Sequence, residues 1–196
     1  MAINIHKLLA EALLKLCKEK KLKTVTIKDL LNETGVSRQT FYNRFRDKED
    51  LIEWTYNNYV LSEFHRAGEA GTYYQNTLNY CLALEKYRFF MKQALLIDGQ
   101  NSLRDTMFRY AVQYDYDWHA QHMDDDRLSP DFRSVSYYHS IASIHVEIDW
   151  ILSDDKERMT PEQMAAWITK VRRISLSDEF FGKGSPVYEF EERMTE

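Results

Sequence analysis

Three prolines, six glycines and two cysteines in 196 residues set the first limits. Turn formers are scarce, and no β-branched run alternates polar with apolar residues, so an all-α fold follows. Cys17 and Cys81 sit among apolar helical positions without metal-motif spacing, and they read as buried free thiols. No run approaches the roughly 18 uninterrupted apolar residues of a membrane span. The N-terminal segment threads Lys and Glu through its apolar residues, which is unlike a signal peptide. A cytoplasmic protein with no membrane partner is expected. G-x-x-x-x-G-K-[ST], H-E-x-x-H and C-x-x-C are all missing, so no catalytic residue, resident cofactor or enzymatic role is expected.

Charge is present but uneven. Residues 1–50 hold 11 Lys and Arg against 7 Asp and Glu, a net of +4, and the remainder holds 15 against 24, a net of −9, which together give the chain's −5. A basic N-terminal quarter on an acidic protein fits nucleic-acid contact confined to that quarter.

That quarter contains TVTIKDLLNETGVSRQTFYNRFRDKED, residues 24–50. Thr26 is an N-cap with Asp29 three residues on, a capping box, and Val25 and Leu30 flank it as a hydrophobic staple. Ile27, Leu30 and Leu31 share one face of the helix that follows, and Gly35 is its left-handed C-cap. Ser37 caps a second short helix, with Val36 and Phe41 as its staple pair. Two capped helices joined at a glycine match a helix-turn-helix. Phe41 and Phe45 point inward from the second helix. Arg38, Gln39, Thr40, Asn43 and Arg44 point outward, with donors and acceptors suited to base edges and phosphates. The Tyr42 hydroxyl can reach a phosphate. Asp47 caps a further helix whose N–H groups, beside Lys48, form a phosphate site.

These residues resemble the TetR family of bacterial transcription regulators. The resemblance is carried by Val25-Thr26-Ile27, by Gly35-Val36-Ser37-Arg38-Gln39-Thr40-Phe41-Tyr42 with Phe45, and by Asp47-Lys48-Glu49-Asp50-Leu51. Arg44 departs from the usual His, but either cation holds a phosphate. The family pattern implies that Lys28, on the first helix of the motif, can contact DNA. Lys28, Arg38, Gln39, Thr40 and Asn43 are then expected to address bases, and Thr26, Ser37, Tyr42, Arg44 and Lys48 to hold phosphates. FFMKQALLIDGQNSLRDTMF, within Tyr87–Phe108, resembles the Firmicute-type regulatory domain of this family, some members of which regulate dihydroxyacetone kinase operons. The resemblance implies a homodimer on a double-stranded DNA operator.

Helical periodicity runs through the rest of the chain. Helix 1 is expected over 4–20, with Lys15, Lys18, Lys20, Lys21 and Lys23 crowding its end. They suit the helix dipole, and one or two of them could reach the DNA backbone. A helix from Asp47 to about Arg66 is expected to be the only element touching both halves, and so the lever between them. Further helices are read over Tyr73–Tyr87, over Arg88–Leu96 (a separate helix or a continuation past a bend), from a cap at Asn101 or Ser102 to about His122, over Asp131–Leu152 and from Thr160, whose box partner is Gln163. About nine helices result. They divide into a DNA-binding domain (1–48), an effector-binding and dimerisation domain (49–174) and a tail (175–196), with Phe180 and Phe181 as possible packing points of the tail.

The last two helices carry excess apolar surface, and Ile141, Ile144, Ile148, Ile151, Met164, Ile168 and Val171 are assigned to a dimer interface. Phe90, Met107, Tyr110, Tyr114, Tyr138 and His145 are assigned to the lining of an effector cavity for an unknown small molecule. His119 and His122 with Asp124–Asp126, or His145 with Glu147 and Asp149, leave a metal-responsive reading open, although no metal ligand is assigned. Two alternatives to simple effector control also stay open: action mainly through a protein partner, and activation rather than repression.

Overall fold

The computed structural model describes residues 4–66, 72–97, 99, 102–122 and 130–175, and at 118–122, 130–132, 135 and 173–175 the backbone only. Among the described residues there are nine helices and no strand. The tail from residue 176, Gly68, Gly71 and Asp124–Asp126 lie outside them.

Three helices make the N-terminal unit. Helix α1 (Ile5–Glu19) starts at Asn4, whose side chain accepts from the Lys7 N–H, and its stripe of Leu9, Leu13, Leu16 and Cys17 is buried. A single 3₁₀ turn, Leu22–Thr24, leads to α2 (Ile27–Thr34). The Thr26 and Asp29 side chains cap each other's backbone N–H groups, and Gly35 closes the helix at φ +69°. Helix α3 (Arg38–Tyr42) follows its Ser37 cap. Phe41 and Phe45 are buried against α1 and α4 side chains, with the Phe45 ring edge-on to Trp54 and to His6.

Helix α4 runs Lys48–Tyr56, widens through a π turn at Asn57–Leu61 and finishes at Ser62–Phe64. The widening is not legible in the residue pattern. A single π turn inside an α-helix rotates everything after it, and such turns are often found at functional sites. Here it sends Leu61 and Phe64 into the C-terminal half.

That half consists of α5 (Tyr73–Lys86), α6 (Arg88–Ala94), α7 (Leu103–His122), α8 (Pro130–Leu152) and α9 (Pro161–Ser175). α5 packs on α9, and α7 on α8. Thr160 and Gln163 form the reciprocal cap expected for α9. Arg88 and Lys92 close the end of α8: Arg88 Nε donates to the Ile151 carbonyl (2.9 Å) and its guanidinium to that of Ser153, while Lys92 pairs with Asp154 at 2.6 Å. The Arg88 guanidinium thus satisfies carbonyls at the helix C-terminus that would otherwise be unpaired.

Two expectations need correction. First, α4 is not the only element touching both halves. Gln93 on α6 donates through Nε2 to the Cys17 carbonyl (2.9 Å) and accepts through Oε1 from the Leu22 N–H (2.7 Å). Lys18 also lies over the Phe89 ring, 5.0 Å from its centroid. Second, most of the assigned dimer residues are core. Ile144, Ile148, Ile151, Met164 and Ile168 are all buried within one protomer, and Ile141 and Val171 are half-buried. The inward face of α8 also carries Ser136, Ser140, Ser143 and Glu147, which are buried. Polar residues thus occupy positions that periodicity assigns to a polar outer face. The isoleucines beside them point the same way, inward.

Candidate nucleic-acid interface and C-terminal cavity

On the N-terminal unit, Lys28 on α2 and Arg38, Gln39, Tyr42, Asn43 and Arg44 on and after α3 are exposed. Each α3 side chain is placed by the buried Phe41, which leaves the opposite face of this one-and-a-half-turn helix in solvent. The Arg38 guanidinium lies over the Tyr42 ring, 5.6 Å from its centroid. Stacking of this kind pre-orients the guanidinium without using its hydrogen-bond donors. Three hydroxyls assigned to DNA are engaged locally. Thr26 Oγ1 donates to Asp29 Oδ2 at 2.7 Å, and the Ser37 and Thr40 hydroxyls lie 2.8 Å apart.

Lys48 differs from expectation. Its ammonium donates to the carbonyls of Val25 (3.0 Å) and Leu22 (3.1 Å), so it ties the α1–α2 connection to the start of α4 instead of standing free for a phosphate. The lysines at the end of α1 are largely committed too. Lys15 pairs with Glu33 and Lys20 with Asp29 (2.7 Å), whose carboxyl is held well below the usual range by that ammonium and by the Thr26 cap. Lys21 and Lys23 remain exposed.

The C-terminal half forms a partly open cavity of about 120 Å³ between α4, α5, α7, α8 and α9. One wall is aromatic. Tyr56, Leu61 and Phe64 come from α4, Tyr73 and Tyr80 from α5, and Tyr110 and Tyr114 from α7. Phe64 meets the Tyr114 ring edge-on at 4.9 Å, and the Tyr56 and Tyr80 hydroxyls lie 3.0 Å apart. The other wall is polar and buried. Asp115 accepts from Arg172 at 2.6 Å and from the Ser136 hydroxyl, with both charged side chains 6% exposed. Glu147 projects from α8 with Oε2 unpartnered among the described residues. Burial pushes its carboxyl up to about 7, opposed by the Tyr80 hydroxyl, while burial and then Arg172 push His139 down. Burial likewise raises the Cys17 thiol, to about 12, and the Cys81 thiol, which makes both inert.

Residues 9–54 match the model of the bacterial regulatory proteins of the tetR family. The N-terminal domain is a TetR-family DNA-binding domain. The chain is 24% identical over 131 residues to the HTH-type dhaKLM operon transcriptional activator DhaS of Lactococcus lactis subsp. lactis (strain IL1403), covering 60% of this chain and 68% of that one. A solved structure, the dihydroxyacetone kinase operon activator DhaS, superposes with a TM-score of 0.60 at 18% identity over 87% of this chain and 94% of that chain, a likeness of fold. The matched family is one of regulatory proteins, and both named relatives are operon activators. The TetR match spans α1 to α3 and the first part of α4, so α4 begins inside the family domain and ends against the cavity.

Of the six residues assigned to the cavity, Met107, Tyr110 and Tyr114 line it. Phe90, Tyr138 and His145 do not: Phe90 is fully buried in the core, Tyr138 is 73% exposed and His145 is exposed. For Tyr138 and His145 the cause is the face of α8 already described. The side chains of His119 and His122 lie outside the described residues. No group of three His, Cys, Asp or Glu among the described residues could hold a metal, and Glu147 faces away from its neighbours His145 and Asp149. Sequence reasoning missed the Asp115–Arg172 pair and the inward Glu147. A signal existed: each sits at an apolar-stripe position, Asp115 after Met107 and Ala111, Glu147 between Ile144 and Ile151, and Arg172 after Met164 and Ile168. A charge at such a position is a buried charge, and buried charges collect at sites.

Proposed function

We propose that this TetR-family regulator binds an operator as a homodimer and is controlled by a small molecule in the C-terminal cavity. The observation that carries the reading is α4. It starts in the DNA-binding domain, with its first ammonium on the α1–α2 connection, and it ends with Leu61 and Phe64 on the cavity wall. Lys28, Arg38, Gln39, Thr40 and Asn43 address bases. Tyr42, Arg44 and the capping hydroxyls of Thr26 and Ser37 meet phosphates. The functional division falls within α4, with residues 1–48 reading DNA and 49–174 binding effector and partner protomer. The protomers pair through the outward faces of α8 and α9, where Tyr138, Ala142 and Ala166 are exposed and Ile141 and Trp167 half-buried.

An occupied cavity displaces the end of α4 and alters the separation of the two recognition helices. Paired half-sites lie one helical turn or a multiple apart, so a change in separation changes affinity. An effector favouring one state about 100-fold shifts the balance by about 2.7 kcal/mol. Activation is the favoured sign, because the relatives named above are activators. A mobility-shift assay on DNA upstream of the protein's own gene tests the core of this reading. Salt-sensitive, sequence-specific binding is expected, and equal affinity for random DNA overturns it.

A further inference from the structure

The charges around the cavity do not balance. Asp115 and Arg172 neutralise each other across 2.6 Å. Burial and Arg172 both disfavour a charge on His139. The tyrosine hydroxyls of Tyr56, Tyr73 and Tyr80 are raised by burial and stay neutral. His65 lines the cavity from an exposed position. Among the described residues Glu147 is left as the buried acid with no cation paired to it on the wall, and only the Tyr80 hydroxyl favours its ionised form. It is 94% buried (6% exposed), and Oε2 has no partner among the described residues. An unpaired carboxylate oxygen in apolar surroundings is costly and calls for a donor. The rings of Phe64, Tyr110 and Tyr114 line the same cavity. Aromatic faces attract cations, and the attraction strengthens where water is excluded.

We infer that the cavity is a binding site for a small organic cation, an ammonium group on Glu147 Oε2 with an apolar body against Phe64, Tyr110 and Tyr114. The inference rests on reading this cavity as the effector site and adds the chemical class of the effector. The volume, about 120 Å³, is close to that of cavities that hold a benzene-sized molecule, so one ring or its aliphatic equivalent fits. A carboxylate ligand is disfavoured by Glu147, and a neutral ligand of equal shape leaves the acid's charge without a counter-ion. An ammonium also favours the ionised form of Glu147, against burial's upward push.

Three isosteric probes separate the possibilities: benzylammonium, benzyl alcohol and benzoate, titrated calorimetrically into the full-length protein at pH 8, where Glu147 is mainly ionised. Benzylammonium is expected to bind at least tenfold more tightly than benzyl alcohol, with benzoate weakest. Glu147→Gln is expected to bring benzylammonium and benzyl alcohol within about threefold of each other. The inference is overturned if benzyl alcohol or benzoate binds the parent protein as tightly as benzylammonium, if none of the three binds at millimolar concentration, or if Glu147→Gln keeps the preference. The first comparison needs no variant and so does not depend on how Glu147→Gln folds. A mobility shift with saturating benzylammonium tests the effector reading separately. Selective binding with unchanged DNA affinity upholds the cation site and removes its regulatory role, whereas a neutral compound that displaces DNA upholds the effector reading and removes the cation site.

Discussion

Replacing Glu147 with Gln gives the sharpest test of the cavity's electrostatics, because the effect has a sign and a pH window. In the folded chain the carboxyl titrates at about 7, against an ordinary value of 4.5, and burial is the main cause. Below the lower value the group is protonated whether the chain is folded or not, and it costs nothing for charge. As pH rises the unfolded chain ionises first, while folding still demands a neutral acid or a buried charge. Stability is therefore present at low pH and lost as pH climbs through the folded value. The gap between 4.5 and about 7, at about 1.4 kcal/mol per pH unit, is worth about 3.5 kcal/mol in full, of which about 2.5 falls between pH 5 and pH 8. The amide that replaces the carboxyl does not titrate. The stability of Glu147→Gln relative to the parent must then rise by about 2.5 kcal/mol between those two pH values. In a chain of this size that is roughly 5–10 °C in Tm.

The assay is urea unfolding of both proteins at pH 5 and pH 8, at one fixed protein concentration because the stability of the proposed dimer would depend on it. Asp115, Arg172, His139 and the cavity tyrosines are present in both proteins, so their contributions cancel in the difference. A gap that stays the same within about 0.5 kcal/mol at the two pH values refutes the buried, uncompensated carboxyl, and with it the electrostatic ground for a cationic ligand.

Other expectations follow from single contacts. Arg38→Ala should relax specificity at one operator position at a cost of about 1–3 kcal/mol, read by selection from a random DNA pool, and unchanged base preferences would remove Arg38 from base reading. Gly35→Ala should lower the urea midpoint by the equivalent of about 1–2 kcal/mol; an added Cβ meets nothing within 4 Å, so the whole cost is the left-handed φ of +69°, and an unchanged midpoint would contradict it. Tyr138→Glu should yield a folded monomer by light scattering, whereas Ile148→Glu should unfold the protomer, because the first side chain is exposed and the second buried. An intact Tyr138→Glu dimer would move the interface elsewhere.

The N-terminal unit is legible in the sequence because its signals are local. A cap, its box partner three residues on and a left-handed glycine can each be read within a span of ten residues, and the Thr26, Gly35, Ser37 and Asp47 positions all fall where those rules place them. Lys48 departs from its expected role because its partners, the Leu22 and Val25 carbonyls, lie more than twenty residues away. The C-terminal half is legible in its helices and poorly legible in their faces. α8 has isoleucines, serines and tyrosines distributed around its circumference, so its apolar stripe has no single direction. Its inward face carries Ser140, Ser143 and Glu147 on the cavity, and Ser136 on Asp115, beside Ile144 and Ile148. A helix bordering a polar cavity breaks the rule that polar residues face out, and this one break displaces most of the dimer assignment and, through Tyr138 and His145, part of the cavity assignment.

The DNA-binding domain is held to the rest of the chain at two places, and their difference in character bears on how a signal could pass. Gln93 fixes the end of α1 by two hydrogen bonds between α6 and backbone, and α6 is in turn fixed to the end of α8 through Arg88 and Lys92. The second attachment, α4, is a continuous helix interrupted only at Asn57–Leu61, where Asn57 donates to the Tyr110 hydroxyl at the cavity rim (3.0 Å). A force on Leu61 or Phe64 from inside the cavity therefore acts beyond the widened turn, on a lever whose far end carries Lys48 and the α1–α2 connection. Under the effector control proposed above, the Gln93 contact would serve as pivot and α4 as lever, and α3 would swing relative to the bundle. In a symmetric pair, that motion changes the distance between two recognition helices without disturbing the packing of either.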